Sequence, residues 1–236
     1  MVISHKFKYV FVELPRTGST AISKELQEYY DGHRILKKHS RYSEFLAQAS
    51  KEERNYFVFS GIRNPMDRTL SFYFKLKHDH KNRFSSMRSK KEYLKEIYFR
   101  RLYDLVQDPK VTFQDYFLKR FNLPYDDWSS LDHHRMNAIL RFEDMSADFD
   151  AALRKIGIDP VRQLPKGNAT KGREEAGFES HFEPVKEHAI KIFGPFMQQA
   201  GYSFPDSWQV KEVPSGATRK FLWLKLLRKP FWKLFY

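Results

Sequence analysis

The sequence predicts an α/β fold in three layers: a central, mostly parallel sheet flanked by helices. Two observations carry the prediction. Apolar and aromatic stretches of strand length recur at 7–14, 56–62 and 138–142, and each is followed by a segment with apolar residues at helical spacing. Strands that alternate with helices pair in parallel through crossovers, and strands apolar on both sides need cover on both faces.

In chain order, Phe7–Leu14 reads as a buried strand, Pro15–Thr20 as a tight turn of small residues, and Ala21–Tyr30 as a helix with Ile22, Leu26 and Tyr29 on one face. Tyr56–Ile62 repeats the strand; Asn64 is placed to cap the following helix, with Pro65 at its first position. Lys91–Val106 carries Tyr93, Leu94, Ile97, Tyr98, Leu102 and Leu105 at helical spacing, and Thr112 is expected to cap a helix through Phe121. Ala138–Phe142 is a third core strand, followed by a helix from a Ser146 cap to Ile156. Pro165–Gly177 is a polar loop with three glycines, and Glu183–Gln199 is an amphipathic helix ending near Gly201. There is no internal repeat.

Composition narrows the function. The 236 residues contain no cysteine, which excludes disulfides, thiolate nucleophiles and cysteine zinc sites. The opening apolar run is broken by Lys8 and Glu13, unlike a signal peptide, and no run of about 18 uncharged apolar residues exists to span a membrane. A cytoplasmic protein is expected. The net charge of +13 points to polyanionic partners. Six of the cations (Arg219, Lys220, Lys225, Arg228, Lys229, Lys233) sit in the last 18 residues, which contain no acid.

Two segments carry the chemistry. The first is Pro15-Arg16-Thr17-Gly18-Ser19-Thr20-Ala21. A loop from strand to helix aims backbone N–H groups at an anion, and the helix N-terminus adds positive potential. Gly18 permits close approach, Arg16 adds a fixed charge, and Ser19 and Thr20 add hydroxyl donors. A triphosphate-binding loop would place Lys after a second glycine, and this loop has neither. The second segment runs from Gly61 to Tyr73. It sets Arg63 at a strand end and Ser71 about two helical turns on, where an arginine fork and a hydroxyl share one phosphate.

Together PRTGST and the R-N-P-x-x-R-x-x-S-x-Y run of Arg63–Tyr73 resemble the motifs of sulfotransferases that use 3′-phosphoadenosine 5′-phosphosulfate (PAPS). Leu140–Asp144 is similar to a later core strand of that family, and Ala189–Pro205 to its closing helix. Arg16, where cytosolic small-molecule members have lysine, is similar to the carbohydrate-directed and bacterial branches. The resemblance implies a P-loop-type version of the three-layer fold over 1–212, followed by a linker and basic aromatic tail at 213–236. It implies sulfuryl transfer to a hydroxyl without a metal; it does not identify the acceptor, for which a saccharide or glycolipid is expected although another hydroxyl compound also fits. Arg16, Thr17, Gly18, Ser19, Thr20 and Ala21 are assigned to the 5′ end of PAPS, with Arg16 neutralising the bridging oxygen. Arg63 and Ser71 are assigned to the 3′-phosphate. Lys171 and Arg173, in a loop similar to the family's late cofactor-covering loop, are further contacts, and Asn168 or Thr170 face adenine or substrate. Thr170 stands where the cytosolic enzymes have arginine. His39, in Leu36–Tyr42, is the candidate general base, since the segment looks like a strand end where carbohydrate-directed members place a Lys-His pair. His78 and His80 come next, and His133 and His134 lie just ahead of the third core strand.

The last segment, Thr218–Tyr236, combines eleven apolar or aromatic residues with the six cations, the composition of an interfacial anchor. It is expected at an anionic membrane surface, on the inner face, rather than docked on the body or on a second copy. Two other functions fit parts of the sequence: a P-loop nucleotide kinase-like enzyme, which needs the lysine-bearing loop and a magnesium acid, and a basic nucleic-acid-binding protein, which rests on charge alone.

Overall fold

The computed structural model describes residues 1–86, 94–165 and 178–235. It divides into two compact units. The first comprises Met1–Asn64, Asp127–Asn168 and Arg228–Tyr236, and the second Pro65–Asp126 and Ala169–Leu227.

The first unit is built on a five-stranded sheet: β1 (Val2–Ser4), β2 (Tyr9–Val12), β3 (His33–Arg34), β4 (Phe57–Ile62) and β5 (Ala138–Arg141), in the order β3-β1-β2-β4-β5. β2, β4 and β5 run parallel, with Val12 beside Ser60 and Ile62 beside Arg141. β1 and β3 pair antiparallel at one edge, so the sheet is mixed. Neither was expected. β1 is three residues long, and β3 is two residues with both side chains exposed, too short for periodicity to register. Lys8, with φ 53°, closes the β1–β2 hairpin.

Side-chain alternation explains the layers. Tyr9, Phe11 and Phe59 face a cluster with Ile22, Leu26, Phe149 and Leu153 of helices α1 (Ser19–Tyr29) and α6 (Met145–Lys155). Val10, Val12 and Val58 face the opposite cluster, with Tyr42 and Phe45 of α2 (Tyr42–Gln48). Successive strand residues thus bury opposite faces, and helices cover both. α6 begins at Met145 with no side-chain cap bond at Asp144, so Ser146 lies inside the first turn and is not the cap expected for it.

The second unit is helical: α3 (Pro65–Lys77), α4 (Leu94–Gln107), α5 (Phe113–Arg120), α7 (Phe178–Phe182) and α8 (Lys186–Ala200). Pro65 opens α3 as expected, and Thr112 and Asp115 cap α5 reciprocally, Asp115 N–H donating to Thr112 Oγ1 at 3.2 Å and Thr112 N–H to Asp115 Oδ2 at 2.9 Å. The core is aromatic. Phe113 meets Phe182 edge to face at 4.8 Å, and Phe117 packs on both Phe182 and Phe193. The helix expected from Glu183 is divided, α8 starting at Lys186 after a short 3-10 turn and ending at Gly201 (φ 68°).

α9 (Ser215–Phe235) is a single helix that contains Pro230. The stretch expected as a linker is short and packed: Val213 fills the space over Gly194 of α8, where an added Cβ would fall 2.6 Å from Val213 Cγ2. No helix of the described residues is long and apolar enough to cross a membrane.

Candidate active site

The loop between β2 and α1 is held from inside. Thr17 Oγ1 donates to the Leu14 carbonyl at 3.0 Å and Ser19 Oγ to the same oxygen at 2.7 Å. Both side chains are buried. Their hydroxyl protons therefore shape the loop rather than point outward, a different task from the anion donor expected of Ser19. The amides at the start of α1 have no partner within the helix by construction and are left for an anion. Ala21 N–H is an exception, since it donates to the Gly18 carbonyl at 3.0 Å. Arg16 (φ 67°) and Gly18 (φ 72°) both take left-handed backbone, which bends the chain tightly enough to present those amides.

Glycine is required at 18 for space as well as conformation. An added Cβ would lie 2.0 Å from Met145 Cε and 3.2 Å from Phe142 Cδ2. A second glycine seats the loop from beneath. A Cβ on Gly61 of β4 would lie 2.9 Å from both Cβ and Oγ1 of Thr17. The loop after β2 and the end of β4 are therefore in direct contact.

Arg63 follows β4 immediately and is buried. Its guanidinium carbon lies 4.0 Å from the centroid of the Phe142 ring. Phe142 is fixed by its N–H donating to the Ile62 carbonyl at 2.9 Å, and Glu143 Oε1 accepts from Asn64 N–H at 2.8 Å. The segment after β5 thus clamps the end of β4 and backs a planar cation with an aromatic face.

Lys38 and His39 reach the same loop from the turn between β3 and α2. Lys38 Nζ donates to Thr20 Oγ1 at 3.0 Å. His39 Nδ1 lies 3.0 Å from the Glu13 carbonyl oxygen. That oxygen only accepts, so Nδ1 carries the proton, and in the neutral ring Nε2 is the bare nitrogen. His39 has φ 68° and sits in this turn, five residues beyond β3, rather than at a strand end. A groove of about 380 Å³, lined by Thr20, Lys24, Gln27, Glu28 and Arg34, runs along α1 from the same threonine.

The structure thus places Arg16–Ala21 and Arg63 just beyond the carboxyl ends of two adjacent strands of one unit, with His39 in a turn of the same unit held to the Glu13 carbonyl. Ser71 belongs to the second unit, buried in α3. Lys171 and Arg173, with Asn168 and Thr170, lie outside the described residues. His78 stacks on Phe74 after α3, and His80 lies in a 3-10 turn beyond it, its pKa lowered by burial and then by Lys75, Lys81 and Arg83. His133 and His134 form a 3-10 turn before β5, and burial, with His134 alongside, lowers the His133 pKa to about 4. Sequence reasoning gave no site role to Gly61, Phe142, Met145 or Glu143. The available signals were a glycine two residues before Arg63 and a Phe-Glu pair directly after a core strand. The model of one protein family, described as the sulfotransferase family, matches residues 1–193. No curated protein and no solved structure matches the chain.

Proposed function

The chain belongs to the sulfotransferase family, and on that premise we propose that it moves a sulfuryl group from PAPS to the hydroxyl of a saccharide or glycolipid. The observation that supports this most is that both motifs leave the carboxyl ends of β2 and β4, which are adjacent and parallel. In open α/β sheets, ligands bind in the crevice outside such strand ends. The left-handed turn through Arg16 and Gly18, leading into the amides at the start of α1, suits an anion resting on backbone N–H groups.

On this reading, Arg16 and the amides from Gly18 to Thr20 take the 5′-phosphosulfate, and the second motif, Arg63 with Ser71, takes the 3′-phosphate. The ring of Phe142 holds the Arg63 fork in plane. His39 Nε2 accepts the proton of the acceptor hydroxyl as its oxygen bonds to sulfur. The sulfur–oxygen bond to the 5′-phosphate breaks at the same time, and the electron pair leaves with 3′,5′-bisphosphoadenosine (PAP). Arg16 neutralises the charge that develops there, and Lys38, held on Thr20, adds a second cation beside the same loop. Positioning and charge neutralisation of this kind carry much of the rate in transfers of such groups.

The test uses the full chain without added metal. PAP raises the melting temperature and ATP does not, and labelled sulfate passes from PAPS to a member of a saccharide and glycolipid panel. Absence of both a PAP shift and any transfer overturns the proposal.

A further inference from the structure

α9 is docked along one side and exposed along the other. Phe221 is buried, and Lys225 Nζ donates to Gln199 Oε1 of α8 at 2.6 Å, so this side faces the protein. Leu222, Trp223, Leu226, Leu227 and Phe231 are each more than half exposed, Leu226 at 74%. Their spacing, with 222 and 226 in one row and 223, 227 and 231 in the next, forms a continuous apolar stripe over more than two turns. Isolated exposed apolar residues need no explanation, but five large ones on one helix face mark an interaction surface.

Charge selects the partner. Arg219 and Lys220 are exposed one turn before the stripe, Lys229 is exposed within its length, and the sequence has no acid from 213 to 236. Lys225, a cation on the docked side, is bonded to Gln199. The exposed cations therefore flank the apolar stripe.

We infer that this face of α9 is an interfacial membrane-binding surface that takes an anionic lipid bilayer. The helix lies along the headgroup boundary. Leu222, Leu226, Leu227 and Phe231 enter the acyl region, Trp223 sits at the interface, and the cations meet lipid phosphates. The inference stands independently of the donor assignment, and it names the surface from which a glycolipid acceptor is reached.

The experiment is vesicle co-sedimentation of the full chain in low salt. Vesicles of phosphatidylglycerol mixed with phosphatidylcholine are compared with phosphatidylcholine alone. The protein is expected to pellet with the anionic vesicles, and high salt is expected to release part of it. Arg219→Glu with Lys220→Glu is expected to cut partitioning at least about 25-fold, at about fivefold per cation. Trp223→Glu with Leu226→Glu is expected to abolish it while leaving the circular dichroism melt unchanged, because both side chains are exposed. Equal binding to neutral vesicles, no binding, or wild-type binding by the Trp223/Leu226 variant each overturns the inference. So does a concentration-dependent dimer in sedimentation velocity that this variant removes, since the face would then belong to a second copy.

Discussion

Gly61→Ala tests how the anion loop is held. The new methyl would lie 2.9 Å from Thr17 Cβ, 2.9 Å from Oγ1 and 3.1 Å from the Thr17 carbonyl oxygen. Carbon–carbon contacts settle at roughly 3.5–4.0 Å, so about 0.6–1.1 Å must be found. Thr17 has little freedom to supply it, being buried with its hydroxyl bonded to the Leu14 carbonyl. Because one clashing atom is backbone, the loop itself must move. Overpacking of this kind costs about 1–3 kcal/mol. For a chain of this size that is a fall in melting temperature of about 2–12 °C. The functional cost should be larger, since the displaced amides are those proposed to hold the 5′-phosphosulfate. We expect PAP affinity by calorimetry to fall at least about tenfold, as loss of one charge-assisted hydrogen bond would produce. Thr17→Gly in the same chain removes the obstructing side chain and should recover part of both losses, a positive coupling between the two sites. Wild-type PAP affinity and an unchanged melting temperature in Gly61→Ala would refute the contact as the loop's seat.

Arg63→Ala is expected to weaken PAP by about 30-fold or more, as truncation of a buried charged partner does, while adenosine 5′-phosphosulfate, which lacks the 3′-phosphate, changes little; equal weakening of both ligands refutes the assignment. His39→Asn is expected to lower kcat by about 10²–10⁴ with PAP affinity kept, whereas Arg16→Ala lowers both. Wild-type turnover in His39→Asn removes it as the base. His133 has a folded pKa near 4 against 6.5 for the free side chain, so the unfolded chain binds the extra proton between those values. Stability should therefore fall as pH drops from about 6.5 to 4, by up to about 3 kcal/mol, and His133→Gln should flatten that limb of the denaturation profile. An unchanged limb in the variant refutes the contribution.

The parallel strands and most helices were legible because their signals are local: Tyr56–Ile62 has the composition of a buried strand, and Thr112 is a cap by residue type. β1 and β3 were not. Val2–Ser4 becomes a strand only because β2 lies beside it, and His33–Arg34 only because β1 does. At the candidate site, residue types singled out the loop at 15–21, Arg63 and His39, whose roles remain proposals. The fixed tautomer of His39 depends on a carbonyl 26 positions away in sequence, and the seat of Thr17 on a glycine of another strand, which only the fold brings together. For α9, composition indicated an apolar, cationic segment. Which residues dock and which face outward is decided by α8, through Gln199.

The strand order also sets a timetable for synthesis. β4 completes its pairing with β2 across 48 residues but with β5 only across 79. At about 5–20 residues per second on the ribosome, β4 waits roughly 4–16 s for its outer neighbour. Its sequence, Phe-Val-Phe-Ser-Gly-Ile, carries no charge. An uncharged apolar strand with an open edge is a template for other chains. Among the described residues of 65–126, made during that interval, the elements are helices and none is a strand that closes the edge. Until Ala138–Arg141 emerges, that edge of the nascent chain stays open to pairing with another strand.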